Sequence, residues 1–310
     1  MAPNVPAAPD TGENARVTTQ SDLRLPVRPP FAATALAAAL RAHAVPALET
    51  QVDGVHRRVV AAPGGPALVE VDLHLDDDAS EVPVTLHLSD PADAPQLVAI
   101  VRRWLDLDAD PVQIDRALSL DPRLAALVAA RPGLRVAGAV DRSECALFTV
   151  LGQQVTLRGA RTLQARFVEA YGSPVAAELP GGPWTLAPTP DTVASVDVDE
   201  LRATIGLTGA RARTVHVLAQ ALADGLRLDP HDPVGTRAAL LALPGIGPWT
   251  ADYLALRAHG DRDAFTPGDA VLRRALDGVT PAEAHRASQA WRPWRAYALT
   301  HLWTAEAYAR

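Results

Sequence analysis

The chain has 310 residues and is 48% hydrophobic, which is enough for two domains with a sizeable core. Its formal net charge is -7 and every basic residue is arginine, which excludes bulk electrostatic attraction to nucleic acid. Cys145 is the only cysteine, which excludes an intrachain disulfide and a cysteine-ligated iron–sulfur cluster.

The first 110 residues predict a tail and a small α+β domain. Residues 1–24 lack hydrophobic periodicity and are expected to be a disordered N-terminal tail. Residues 25–110 are expected to contain an antiparallel sheet, because short β-like runs are separated there by turn residues. The predicted helices and strands lie at residues 31–44, 47–52, 55–61, 67–75, 82–88 and 96–107. This domain carries no catalytic constellation in its sequence.

Residues 111–310 predict an all-helical domain, because strand signals stop and helical periodicity continues. Within it, residues 236–258 are expected to form two helices joined by the tight turn LPGIG at residues 243–247. Gly245 and Gly247 would free the backbone to turn and to approach a ligand closely. Pro248 suits the first turn of the second helix, whose N–H groups would face an anion such as a phosphodiester.

Another helix start follows about twenty residues later, at TPGD (residues 266–269). The pattern predicts Thr266 as the N-cap, Pro267 at the first helical position and Asp269 at the third. A carboxylate at a helix N-terminus is favoured in its ionised form. The spacing alone is equally compatible with a purely structural capping role for Asp269.

In combination, these motifs resemble the helix-hairpin-helix, Gly/Pro and aspartate signature of the DNA glycosylase superfamily. Three segments are similar to its alkylated-base branch, the DNA-3-methyladenine glycosylase II (AlkA) type: residues 151–163, 243–260 and 291–303. The resemblance covers about residue 25 to the C-terminus. It implies a helix-hairpin-helix glycosylase fold in the second domain and a packing role for the first.

The resemblance implies that Asp269 is the catalytic residue of a glycosylase acting in base excision repair. Cleavage of an N-glycosidic bond develops positive charge at the anomeric carbon. A fixed carboxylate stabilises that charge and can orient or deprotonate a water. Glycosylases that also cut the strand use a lysine to form a Schiff base, and Trp249 occupies that site here. A water nucleophile and an abasic product, without lyase activity, are therefore expected.

The resemblance also implies that Trp249, Tyr253 and Trp303 line the pocket for the flipped base. Trp249 and Tyr253 are four residues apart and share a helix face, although core packing would explain the same spacing. An aromatic wall binds a positively charged alkylated purine by stacking and cation–π attraction. Ala39 and Thr304 stand where the family pattern has phenylalanine and tyrosine, which predicts a roomier pocket.

Damaged double-stranded DNA is the partner that the resemblance implies. The hairpin residues Gly245, Ile246 and Gly247 would bind its backbone. Gln153 or Gln154 would fill the gap left by the flipped base, unless both are ordinary polar turn residues. Phosphate contacts are expected from Arg158 and Arg273, within a wider set of arginines: Arg158, Arg161, Arg166, Arg273, Arg274, Arg292 and Arg295.

No organic cofactor is expected, and the scattered histidines show no zinc-ligand spacing. The resemblance implies only a monovalent cation, Na⁺ or K⁺, on the main-chain carbonyls of Leu241, Leu243 and Ile246. The chain shows no bilayer-spanning run and no signal-peptide pattern. The sequence is therefore expected to encode a monomeric, bacterial-type cytoplasmic protein without a membrane partner.

Two other functions fit parts of the pattern. One is a non-catalytic helix-hairpin-helix DNA-binding protein, which would need neither Asp269 nor the aromatic wall. The other is a glycosylase for deaminated or mismatched bases, which would use the same machinery on different substrates.

Overall fold

The computed structural model of the protein describes residues 18–308. Its N-terminal domain is built on an antiparallel five-stranded sheet of order β1-β5-β4-β3-β2. Two helices, α1 (Ala33–His43) and α2 (Ala94–Trp104), bury their apolar faces against one side of it. The strands are β1 (Thr19–Pro26), β2 (Glu49–Val52), β3 (Val55–Ala62), β4 (Gly65–Asp72) and β5 (Glu81–Leu88).

Strand β1 corrects the prediction that residues 1–24 are a disordered tail. It pairs with β5 along its whole length, from Thr19 opposite Leu88 to Pro26 opposite Glu81. Most of its side chains are exposed, and Leu25 is its one buried residue. The strand is therefore held mainly by backbone hydrogen bonds to β5, which leave little hydrophobic pattern in the sequence. Residues 1–17 of the predicted tail lie outside the described residues.

The second domain is helical apart from two strands of two residues each, β6 (Ser173–Pro174) and β7 (Thr185–Leu186). This small hairpin is a departure from the all-helical prediction. No helix in the described part of the chain is long and apolar enough to cross a membrane. The helices are α3 (Pro111–Leu118), α4 (Pro122–Ala130), α5 (Arg142–Leu151), α6 (Leu157–Tyr171), α7 (Pro190–Ala194), α8 (Val198–Ile205), α9 (Gly209–Ala223), α10 (Pro233–Leu241), α11 (Pro248–Leu254), α12 (Ala270–Ala275), α13 (Pro281–Ala287) and α14 (Arg295–Trp303).

The sheet is covered on both faces. Leu68 and Val69 are neighbours in β4 and are both buried. Val69 packs in the core with α1 and α2. Leu68 packs with Val168 of α6 and with Trp184, beside β7. The second face of the sheet therefore joins the N-terminal domain to the helical domain.

Helix α11 lies between the two hydrophobic cores of the helical domain. Leu254 belongs to the core formed by α5, α9 and α10. The π-helical turn Ala255–His259 extends α11. Its Leu256 belongs to the second core, formed by α3, α4, α12 and α14. The remaining face of α11, with Trp249 and Tyr253, consequently looks toward α12 and α14. Side chains from three helices converge there.

Candidate active site

Asp269 lies at the centre of three hydrogen bonds at the start of α12. Its Oδ1 accepts the backbone N–H of Leu272 and the indole N–H of Trp303, both at 2.9 Å. Its Oδ2 accepts the indole N–H of Trp249 at 3.1 Å. The residue is only 8% exposed. Three donors from three helices therefore hold the carboxylate in one orientation.

The predicted N-cap, Thr266, is wrong by three residues. Asp269 is itself the N-cap of α12, with extended backbone angles. Thr266 is fully buried, and its carbonyl accepts the Asp269 N–H at 3.0 Å, so residues 266–269 form a turn before the helix. Aspartate and threonine are both favoured N-cap residues, and the tryptophans that fix Asp269 come from other helices. Capping and the predicted chemistry therefore use the same carboxylate.

The three predicted aromatic residues form a continuous wall beside Asp269. The rings of Trp249 and Tyr253 stack with centroids 5.1 Å apart and planes at 15°. The ring of Tyr253 lies 6.0 Å from that of Trp303. All three rings and Asp269 line a cavity of about 300 Å³, a size found for small-molecule sites. Core packing alone does not account for an aromatic wall that faces an open cavity.

Part of the cavity lining comes from the N-terminal domain, for which the sequence analysis expected only a packing role. Leu40 and His43 of α1 line the cavity, together with Glu49 of β2, Arg58 of β3 and Trp104 of α2. Sequence reasoning missed these residues because they lie about 150 to 200 positions from the hairpin. No local motif marks them.

Ala39 and Thr304, which were expected to widen the pocket, do not line this cavity. The α1 side chains that reach it are Leu40 and His43. Thr304 is buried, and its hydroxyl donates to the Thr300 carbonyl at 2.7 Å. The predicted effect of these two positions on pocket width therefore finds no support in the structure.

The hairpin between α10 and α11 has two glycines with different roles. Gly245 has φ of +83°, and a Cβ there would lie 2.0 Å from Oγ1 of Thr214 on α9, so the fold requires this glycine. A Cβ on Gly247 would meet no atom within 4 Å, which leaves open the approach to the N-terminus of α11. Ile246 is buried in the core of the helical domain, so its side chain anchors the turn and only its backbone can serve a ligand.

The two glutamines at the end of α5 are not equivalent. The Gln153 amide donates to the Gly245 carbonyl at 3.3 Å and to Oγ1 of Thr250 at 2.9 Å, which ties this loop to the hairpin. Gln154 is exposed and has φ of +54°. Val155 beside it lines the cavity and is 39% exposed, an apolar surface residue that the sequence reasoning overlooked.

Most of the predicted phosphate-binding arginines are engaged within the protein. Arg292 and Arg295 both pair with Asp263, at 2.9 and 2.8 Å. Three others donate to main-chain carbonyls: Arg161 to Ala44, Arg166 to Ile205 and Arg273 to Val279. Arg158 and Arg274 are exposed. The structure thus favours Arg158 over Arg273 as an available contact.

The predicted cation ligands lie on the hairpin backbone. Leu241 is the last residue of α10, where helix carbonyls carry partial negative charge and lack intrahelical partners. The Leu243 carbonyl already accepts the Ile246 N–H at 3.2 Å, which leaves it a second lone pair. Among residues 18–308, no cluster of histidine, cysteine, aspartate or glutamate has a metal-binding arrangement.

The fold and this site define a class of protein. Residues 22–141 match the family described as the AlkA N-terminal domain, and residues 147–293 match the HhH-GPD superfamily base excision DNA repair proteins. The chain belongs to this superfamily, which confirms the fold class and the resemblance predicted from the sequence.

Individual relatives agree with that assignment. The chain is 34% identical to DNA-3-methyladenine glycosylase 2 of Escherichia coli over 91% of its own length and 96% of the relative. It is 42% identical to the probable bifunctional transcriptional activator/DNA repair enzyme AlkA of Mycobacterium tuberculosis, over 91% of this chain but 56% of that protein. It thus spans little more than half of the latter.

Among solved structures, the 3-methyladenine DNA glycosylase from Archaeoglobus fulgidus has the same fold. The TM-score is 0.77 at 19% identity, covering 91% of this chain and 98% of that one.

Proposed function

We propose that the protein is a monofunctional DNA glycosylase that flips alkylated bases out of double-stranded DNA and hydrolyses their N-glycosidic bond. The product would be an abasic site, to be processed further in base excision repair. The observation that carries the proposal is the Asp269 carboxylate, fixed by the indoles of Trp249 and Trp303 in the wall of an aromatic cavity. The names of the relatives support the same activity.

In this mechanism the carboxylate of Asp269 acts on the sugar and the aromatic wall acts on the base. As the bond to the base breaks, positive charge develops at the anomeric carbon, and the fixed carboxylate stabilises it without reorganisation. The same oxygens can orient a water for attack. The stacked rings of Trp249 and Tyr253 offer their faces to an electron-poor alkylated purine.

The reaction is expected to stop at the abasic site. A strand-cutting mechanism needs an amine that forms a Schiff base, and the chain contains no lysine. A non-catalytic DNA-binding protein would not need a buried carboxylate beside a cavity, so the geometry disfavours that alternative.

Contacts to DNA are proposed for three surfaces around the cavity. The backbone of Gly247 and the start of α11 would bind phosphate, because this approach is open. Na⁺ or K⁺ on the carbonyls of Leu241, Leu243 and Ile246 would supply positive charge beside that phosphate. Gln154 would enter the space left by the flipped base, and Arg158 would contact the backbone.

The central test is base release by Asp269→Asn. Asparagine can still cap α12, although its amide would place a donor against one indole donor, at a cost of about 1 kcal/mol. Single-turnover release of methylated bases from duplex DNA should fall by roughly a hundredfold or more, the scale reported for losing a key electrostatic group. Duplex affinity and the melting temperature are the controls and should change little. Near wild-type release would refute the catalytic assignment.

A further inference from the structure

Three charged side chains from the two domains line the cavity together, and we call this cluster the charged floor. This charged floor consists of Glu49 of β2, Arg58 of β3 and Glu144 of α5, all of which line the cavity. One Nη of Arg58 donates to both carboxylate oxygens of Glu144, at 2.5 and 2.6 Å, and the other donates to Glu49. Their side chains are 11%, 4% and 15% exposed. The ions are therefore withdrawn from bulk water but border the cavity.

When Glu144 is ionised, negative charge exceeds positive charge around this cavity. Its lining contains two arginines, Arg58 and Arg257, and three carboxylates, Glu49, Glu144 and Asp269, so the sum is -1 when all are ionised. His43 adds no positive charge near neutral pH, because burial lowers its pKa to about 3. A cation in the cavity would restore the balance.

Of the two carboxylates in the charged floor, Glu144 is the one whose negative charge its surroundings stabilise less. Burial raises its pKa to about 7, and the neighbouring carboxylates of Glu49 and Asp141 oppose the effect of Arg58. Burial also penalises the charge of Glu49, but Arg58 and the buried His56 together lower its pKa below the usual value. Of these two carboxylates, Glu144 is therefore the one whose charge a bound cation would stabilise more.

We propose that Glu144, oriented by Arg58, is a specificity-determining residue that accepts a hydrogen bond from the edge of the flipped base and favours bases that carry positive charge. This inference rests on the proposed function. Stacking against the aromatic wall does not distinguish hydrogen-bond donors from acceptors on the edges of a purine, whereas a carboxylate in the cavity lining accepts only from donors. A charge-assisted hydrogen bond is roughly twice as strong as a neutral one.

The experiment compares two bases in otherwise identical duplexes. One duplex carries 7-methylguanine, which is cationic and has an exocyclic amino group, and the other carries hypoxanthine, a neutral purine without that group. Glu144→Gln should lower single-turnover release of 7-methylguanine by roughly tenfold, the size expected for losing a hydrogen bond to a charged group. Release of hypoxanthine should stay within about twofold of the wild-type rate, a change too small to reflect such a bond.

Asp141→Asn is the matched control. Asp141 caps α5 and accepts the Glu144 N–H at 2.8 Å, but it does not line the cavity. Asparagine preserves the cap while removing one nearby negative charge. The preference for 7-methylguanine should not fall in this variant, because losing the Asp141 charge favours ionisation of Glu144. Thermal unfolding of both variants verifies that they fold.

Three outcomes would overturn the inference: equal loss on both bases, no loss on either, or the same selective loss in the Asp141 variant. A selective loss confined to Glu144→Gln supports it.

If the wild-type protein releases neither base, the proposed function fails. The role of Glu144 is then tested by binding alone, with the 3,9-dimethyladenine cation and neutral 9-methyladenine as ligands. Quenching of tryptophan fluorescence reports binding, because Trp249 and Trp303 line the cavity. Preference for the cation that is lost only in Glu144→Gln supports the charged floor, and absence of preference refutes it.

Discussion

The two glutamines after α5 show how adjacent residues of one type acquire different roles. Gln153 is held by the hairpin through its amide, and its carbonyl accepts a hydrogen bond from Arg211 of α9. Gln154 is turned outward by its left-handed backbone conformation, beside the exposed Val155 at the cavity. Position in the sequence could not separate the two, and we propose Gln154 as the residue that enters the space left by the flipped base.

Gln154→Ala should slow release of a normally paired alkylated base by roughly tenfold, because the hole left by the flipped base costs a few kcal/mol when it stays empty. The effect should be smaller when the target base is already mispaired, since its extrusion is easier. Gln153→Ala is the comparison, and it should slow release from both duplexes alike by loosening the hairpin. Single-turnover rates on matched and mismatched duplexes measure this, and unchanged rates for Gln154→Ala would remove it from base flipping.

Among the elements, the hairpin combines a structural glycine and an accessible one. A Cβ added at Gly245 would collide with Thr214 of α9, although the glycine itself is exposed, whereas a Cβ added at Gly247 would meet open space at the start of α11. Both read as turn glycines in the sequence. Their substitution should therefore separate folding from binding.

Gly247→Ala should weaken binding to damaged and undamaged duplexes alike, because the added methyl group obstructs phosphate without disturbing the fold. Gly245→Ala should instead lower the free energy of unfolding by about 1–3 kcal/mol through steric conflict and backbone strain. Gly209→Ala, where a Cβ would have ordinary contacts at 3.5 Å, is the control. Duplex titrations and urea unfolding check both statements. A Gly247→Ala defect seen with one damaged base only would contradict a phosphate role.

In the whole molecule, the cavity is a joint product of two domains. Asp269 and the aromatic wall come from the helical domain, while Glu49 and Arg58 come from the sheet. The Arg58–Glu144 ion pair crosses this boundary next to the shared apolar core that contains Leu68 and Trp184. The N-terminal domain is therefore part of the site, beyond the packing role that the family resemblance implied.

Arg58→Met should destabilise the protein by about 3–5 kcal/mol, because it leaves two buried carboxylates without their shared partner. Arg57 is adjacent in β3 and pairs with Glu70 at 3.3 Å on the partly exposed side. Arg57→Met should cost less than about 1 kcal/mol, as is usual for such pairs. Urea unfolding at neutral pH compares the two variants. A similar loss for both would mean that the charged floor contributes no more than a surface ion pair.

The amino-acid sequence by itself determined the two-domain fold class, the family, the hairpin, Asp269 and the three aromatic residues. The fold class and the hairpin follow from local patterns of helical periodicity and turn glycines. The roles expected of Asp269, 20 positions after Trp249, and of the aromatic residues came from the family resemblance. Trp303 was added by a separate contiguous motif near the C-terminus.

The tertiary structure alone decided the remaining features. Strand β1 is ordered by the open edge of β5, and the orientation of the Asp269 carboxylate is fixed by indoles from α11 and α14. In the charged floor, Arg58 and Glu144 are 86 positions apart in the sequence, and no local pattern marks them as partners. The physical reason is common to all three. Their energies come from hydrogen bonds and ion pairs between distant segments, which form only after the hydrophobic cores have brought those segments together.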